Sequence, residues 1–198
     1  MPYIEASVRS KQFVAAARAV MARQGVAATA LRAVAAEAEV PLGTLQYVFP
    51  SKELLLRAVI EDVIAEIATV LTAGVEVNSG LAHAIRQGLT VFWSQLVAGK
   101  IDSQLMQFEL VNYALRQPGL DHLAQWQYQR YSDAIAQWCQ TAATNAGEVS
   151  AVPYDQLARL ILAGIDGLTM QYACDPDDAR AAADLDTIAD MVITLARI

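Results

Sequence analysis

The sequence predicts an all-α protein, and three observations carry that expectation. Alanine, leucine and other helix formers dominate, prolines number only six in 198 residues, and no run of alternating β-branched residues is long enough to make a strand. With 55% apolar and 18% charged residues, the chain can bury a large core, enough for one or two compact domains with little disorder. No uninterrupted apolar window reaches the length of about 18 residues that a membrane span needs. The opening run MPYIEASVRSK lacks the basic segment, apolar stretch and cleavage pattern of a leader. A cytoplasmic protein with no membrane partner is therefore expected.

Each element follows from a local signal. A first helix is expected from Ser7 to Gln24, where Phe13, Ala17, Val20 and Met21 share a face and Gly25 supplies a C-terminal stop. Thr29 is placed as the N-cap of a shorter second helix. There Leu31, Val34, Ala35 and Ala38 recur at i, i+3, i+4, i+7, and the helix ends near Glu39. Pro41 fits the first position of a third helix, because the N–H it lacks would have no partner there, and Pro50 stops that helix after about Phe49. Ser51 caps a fourth helix, from Lys52 to about Ala73, apolar on nearly every side and so expected to touch two partners. Further helices are expected at roughly 81–98, 102–116, 119–145, 154–174 and 185–197, separated by Gly, Pro and Asp breaks.

The net charge of −7 argues against a nucleic-acid partner until the charges are located. Residues 1–57 carry seven bases (Arg9, Lys11, Arg18, Arg23, Arg32, Lys52, Arg57) against four acids (Glu5, Glu37, Glu39, Glu53). The acidic excess lies wholly in the remainder, which suits a small basic reader of phosphates joined to an acidic body. The expected division is a basic domain over residues 1–50, suited to nucleic acid, and an acidic helical domain over 51–198, with 51–73 as a linking helix.

The segment Thr29 to Leu55, TALRAVAAEAEVPLGTLQYVFPSKELL, resembles the N-terminal helix-turn-helix signature of the TetR family, and the resemblance covers about residues 8–60. Its parts have physical reasons. Ala35 and Ala38 let two helices cross closely, Val40 and Leu45 fill a small core, and Leu45 and Phe49, four apart, face inward. The outward candidates are Leu42, Gly43, Thr44, Gln46 and Tyr47. The resemblance implies that Thr44, Tyr47 and Lys52 hold the phosphate backbone, Lys52 sitting where the fourth helix opens. Thr29, at the start of the second helix, is counted with the DNA-binding set. Leu42 could meet a thymine methyl, Gly43 lets backbone approach, and Gln46 suits adenine. Three positions depart from the usual pattern: Glu39 where glycine is common in the turn, Gln46 in place of an aromatic residue, and Val48 in place of a frequent histidine.

The body is less specific. Trp93, Met106, Phe108, Tyr113, Trp126 and Tyr131 are candidates to line a pocket for an apolar or cationic small molecule, with core packing as the competing role for each. The last two helices carry Leu157, Ile161, Gly164 and Leu168, then Ile188, Val192 and Leu195. Two such helices from each of two chains would make a four-helix homodimer interface; intramolecular packing is the alternative. Ile165-Asp166-Gly167-Leu168 and Asp175-Pro176-Asp177 are similar to the BetI-like branch of the family, which makes a choline-like cation one conceivable effector. His83 and His122 lack partners at metal-ligand spacing, and the aspartates from 175 to 186 lack the glycine and closing glutamate of a calcium loop. No metal or other cofactor is expected. Cys139 and Cys174, in apolar helical contexts, read as buried free thiols.

The expected function is a ligand-responsive transcriptional regulator, a repressor, binding a near-palindromic operator in double-stranded DNA as a homodimer. A catalytic role is disfavoured because no Ser-His-Asp, Cys-His, phosphate-loop or metal-ligand constellation is present. A helical adaptor for another protein is the remaining alternative, and salt-sensitive DNA binding separates the two.

Overall fold

A computed structural model describes residues 6–197. The reading of the first residues, Met1 to Glu5, as free of a leader lies outside the described residues. The elements are α1 (Ala6–Gln24), α2 (Leu31–Glu37), α3 (Leu42–Val48), α4 (Lys52–Gly74), α5 (Leu81–Phe92), α6 (Ile101–Arg116), α7 (Asp121–Ala146), α8 (Tyr154–Cys174) and α9 (Asp178–Ala196), with a π-helical turn at Trp93–Val97. Among the described residues there is no strand, as the composition predicts. Among the described residues no helix is long and apolar enough to cross a membrane.

The helices pack as two units, one formed by residues 6–65 with 102–127, the other by 66–101 with 128–197. Both α4 and α7 contribute residues to each.

In the first unit the inner face of α1 is Phe13, Ala17, Val20 and Met21, all buried, and Gly25 ends the helix at φ +80. Val34, Ala35, Ala38, Leu45 and Phe49 complete the small core of α1 to α3. Ser51 caps α4, its hydroxyl accepting from the Leu54 amide at 3.2 Å. Two caps differ from expectation. The N-cap of α2 is Ala30, with no side-chain bond, because the Thr29 hydroxyl turns back to the Gly25 carbonyl instead. Pro41 is the residue preceding α3 rather than its first, at ψ 142, which is still compatible with its missing N–H.

Glu39 takes the left-handed conformation, φ +55, in the turn between α2 and α3. The turn thus keeps the shape that glycine would give it, at the steric expense of a β-carbon.

In the second unit, α5, α7, α8 and α9 enclose a core of Leu81, Ile85, Leu89, Trp93, Cys139, Leu157, Ile161, Leu185 and Val192 among others. Gly88 lies against the Trp138 ring and Gly164 against Ile188, so that a methyl group at either would overlap its neighbour. Burial pushes the Cys139 thiol up to about 12. Cys174, by contrast, is exposed, correcting the expectation of two buried thiols. Helix α9 begins seven residues earlier than predicted. Asp177 caps it by accepting from the Arg180 amide at 3.0 Å, so Asp178 and the alanines after it form its opening turns. Between α7 and α8, the Tyr128 hydroxyl donates to the Asp166 carboxylate at 2.7 Å. Burial raises the pKa of Asp166, and that hydrogen bond works in the opposite direction.

Two outcomes are expected. Replacing Glu39→Gly relieves the left-handed residue and raises the urea midpoint, by about 0.5–1 kcal/mol of stability; a lower midpoint would contradict the strain. For Asp166 the folded chain binds its proton more tightly than the unfolded chain. Ionisation therefore destabilises the fold above its raised pKa, and the penalty fades as pH falls through that pKa toward the ordinary 3.8. Asp166→Asn should melt higher than wild type at neutral pH, with the difference closing in acid. A difference independent of pH would show that the charge is not its cause.

Candidate nucleic-acid interface

The third helix is short because Pro41 precedes it and Pro50 follows, and its seven residues divide cleanly. Leu45 is buried, with Phe49 just beyond it, while Gly43, Gln46 and Tyr47 are exposed and Leu42 and Thr44 half-buried. Tyr47 stands 88% exposed, an amount of bare ring that the fold of this chain does nothing to use. Nothing lies within 4 Å of where a β-carbon on Gly43 would be. No packing contact therefore requires glycine there, although glycine costs a helix roughly 1 kcal/mol relative to alanine. The five outward candidates thus share one surface, carried by a helix whose other side is fixed by the core.

The charges around that surface are less free than a count suggests. Arg23 makes a paired contact with Glu37 at 2.5 and 3.2 Å, which raises the arginine pKa and lowers that of the glutamate. Arg18 meets Asp62 at 2.7 Å, and Arg57 meets Glu61 at 3.4 Å while lying over the Trp126 ring. Among the described residues, Arg9, Lys11 and Arg32 form no ion pair. Lys11 and Arg32 are exposed, Arg32 in the first turn of α2. The sequence reading counted these three without giving them a role; only packing separates them from the paired arginines.

Two members of the predicted DNA-binding set are placed otherwise. Thr29 is 2% exposed and its hydroxyl donates to the Gly25 carbonyl at 2.8 Å, which removes it from the surface. The Lys52 ammonium points into the α1–α2 turn, donating to the Val26 carbonyl at 2.7 Å and the Ala27 carbonyl at 3.3 Å, with the Tyr113 ring 4.4 Å below it. An ammonium has three donors, and here two carbonyls and an aromatic face take up its charge. The same turn is held from α6, where Glu109 accepts from the Val26 amide at 3.0 Å. A groove of about 530 Å³ runs beside this contact, lined by Val26, Glu109, Asn112, Tyr113 and Arg116 among others.

The six pocket candidates fall in both units. Met106 is buried in the first, where Phe108 is half-buried, Tyr113 underlies Lys52 and Trp126 underlies Arg57. In the second, Trp93 packs edge-on against Tyr172 at 5.2 Å and Tyr131 edge-on against Tyr128 at 6.3 Å. Asp166, which touches Tyr128, was quoted in the sequence only as part of a resemblance; its pairing across two helices leaves no local signal. The dimer candidates require a correction. Leu157, Ile161, Leu168 and Val192 are buried in the chain's own core, Ile188 and Leu195 pack against that core, and Gly164 faces Ile188. Helical spacing marked a packed face truly but could not say that its partner lies in the same chain. The opposite faces of α8 and α9 carry Leu160, Gly167, Met170 and Met191, all exposed. His122 pairs with Glu53 at 3.3 Å on the surface.

Comparison with known proteins agrees with this geometry. Residues 13–59 match the family described as bacterial regulatory proteins, tetR family, and residues 92–197 match the BetI-type transcriptional repressor, C-terminal. The nicotine-responsive transcriptional repressor HdnoR of Paenarthrobacter nicotinovorans is 27% identical over 182 residues, 92% of each chain. A TetR-family transcriptional regulator from Rhodococcus sp. superposes with a TM-score of 0.80 at 19% identity, covering 96% of this chain and 99% of that one. GusR of Salmonella enterica superposes at 0.76 with 21% identity, covering 96% and 97%. The protein whose short third helix stands bare and whose C-terminal half matches the BetI type belongs to the TetR family of transcriptional regulators, not to the enzymes.

Proposed function

We infer that this chain is a ligand-responsive repressor that binds a near-palindromic operator as a homodimer. The bare outward face of α3, with Tyr47 at 88% exposure beside Gly43 and Gln46, carries the reading. A short helix of this kind enters a major groove with its front residues at base edges. Leu42, Gly43 and Gln46 read bases; Thr44 and Tyr47 hold phosphates, joined by Arg32 at the start of α2. Thr29 and Lys52 act from behind by fixing the turn.

The exposed apolar residues of α8 and α9, Leu160 and Met170 with Met191 at 60% exposure, favour dimerisation through these helices, which would set two α3 helices about one DNA turn apart. The function divides near residue 50, the N-terminal side reading DNA and the C-terminal side binding effector and partner. The effector is a small hydrophobic or cationic molecule, a class in keeping with the nicotine-responsive relative. Helix α4 begins beside the reading head and ends among residues of the second unit. It is therefore the lever by which an effector favouring the splayed dimer lowers operator affinity.

Selection of bound duplexes from a random pool should enrich a two-fold-symmetric site. On that site Tyr47→Ala weakens binding about tenfold, and equally for variant sequences. Gln46→Ala relaxes preference at one base pair per half-site, and Arg32→Ala reduces the salt slope by about two for the dimer. No enriched site, or three variants indistinguishable from wild type, would sink the assignment.

A further inference from the structure

A carboxylate stands without a cation between α7 and α8. Asp166 accepts from the Tyr128 hydroxyl at 2.7 Å, and among the described residues no lysine, arginine or histidine pairs with it. One turn further along α8, Thr169 is 1% exposed and its hydroxyl has no partner. On α7, the rings of Tyr128 and Tyr131 lie 6.3 Å apart at 77°. Two turns beyond Tyr131, on the same face of the helix, Trp138 buries an indole N–H that also has no partner. A buried polar group without a partner costs roughly 1–3 kcal/mol. Two of them, the Thr169 hydroxyl and the Trp138 indole N–H, share two adjacent helices of one unit with a carboxylate that has a hydrogen bond but no cation. Such a grouping asks for a ligand with complementary chemistry.

That chemistry is specific. The carboxylate calls for a positive charge, the tyrosine faces attract one through their quadrupoles, and the hydroxyl and indole offer donors to an acceptor elsewhere on the ligand. We propose that Asp166, Tyr128 and Tyr131 form the binding site for a small organic ammonium ion, with Thr169 and Trp138 available to its uncharged polar end. This rests on the reading of the second unit as effector-binding and narrows the effector to a cation.

Calorimetric titration of the full-length protein tests it with three cation and neutral pairs: choline and 3,3-dimethylbutan-1-ol, phenethylamine and 2-phenylethanol, nicotine and cotinine. Expected is that at least one cation binds roughly tenfold or more tightly than its neutral partner. Asp166→Asn should abolish that preference, and Tyr128→Phe should reduce it severalfold. Thermal melting confirms that each variant is folded, and Tyr128→Phe keeps the test open should Asp166→Asn fail to fold. Binding of no cation, equal binding of both members of every pair, or an undiminished preference in Asp166→Asn would overturn the site. Operator titration of the wild type runs beside it. DNA binding without any cation preference defeats this site alone, whereas cation binding without an operator defeats the regulator reading and leaves the site.

Discussion

Residues 25–30 connect two helices without being helical, so their backbone groups must find partners elsewhere or lose stability. Backbone bonds meet part of this need, Gly25 N–H to the Met21 carbonyl and Thr29 N–H to the Val26 carbonyl, and side chains from four places supply more. Thr29 reaches the Gly25 carbonyl, Gln24 the Ala28 carbonyl, Lys52 from α4 the Val26 and Ala27 carbonyls, and Glu109 from α6 the Val26 amide. The turn sets where α2 starts, and α2 in turn carries α3. The orientation of the reading surface within the first unit therefore depends on a charged clamp made by residues distant in sequence. Opposite charges grip one short stretch of backbone, the glutamate at Val26 N–H and the lysine at Val26 C=O, each as a charge-assisted hydrogen bond.

Held from behind, the head can leave its front face unused by the fold. Tyr47, Gln46 and Gly43 contribute little to the core, and Gly43 weakens its own helix. Glu39 keeps a left-handed turn that glycine would adopt more easily. Local rules are broken where the chain meets something other than itself, and the clamp and the Leu45 core offset the loss. Asp166, hydrogen-bonded to Tyr128 but without a cation, has the same character in the second unit: a group whose buried charge costs the fold stability at neutral pH is kept there.

Much of this was legible in the residues. Apolar spacing placed Phe13, Ala17, Val20 and Met21 inside, Pro41 and Pro50 bounded α3, and Leu45 and Phe49 turned inward as their spacing requires. These signals are local, and local signals survive in sequence. What was not legible depends on distant partners. Lys52 looks like a phosphate ligand by position, yet carbonyls 25 and 26 residues away claim its ammonium. Ile161 and Val192 look like dimer contacts by pattern, yet each lies in its own chain's core. The start of α9 was missed because a run of aspartates reads as a turn until one of them is seen to cap the helix that the others begin.

The most direct measurement is hydrogen exchange across residues 25–29 in wild type and Lys52→Met, paired with operator titration of both at two salt concentrations. If Lys52 clamps the turn, exchange there accelerates in the variant and operator affinity falls while the salt slope stays as it was. Unchanged exchange with a slope reduced by about two for the dimer would instead make Lys52 a phosphate ligand and the clamp incidental.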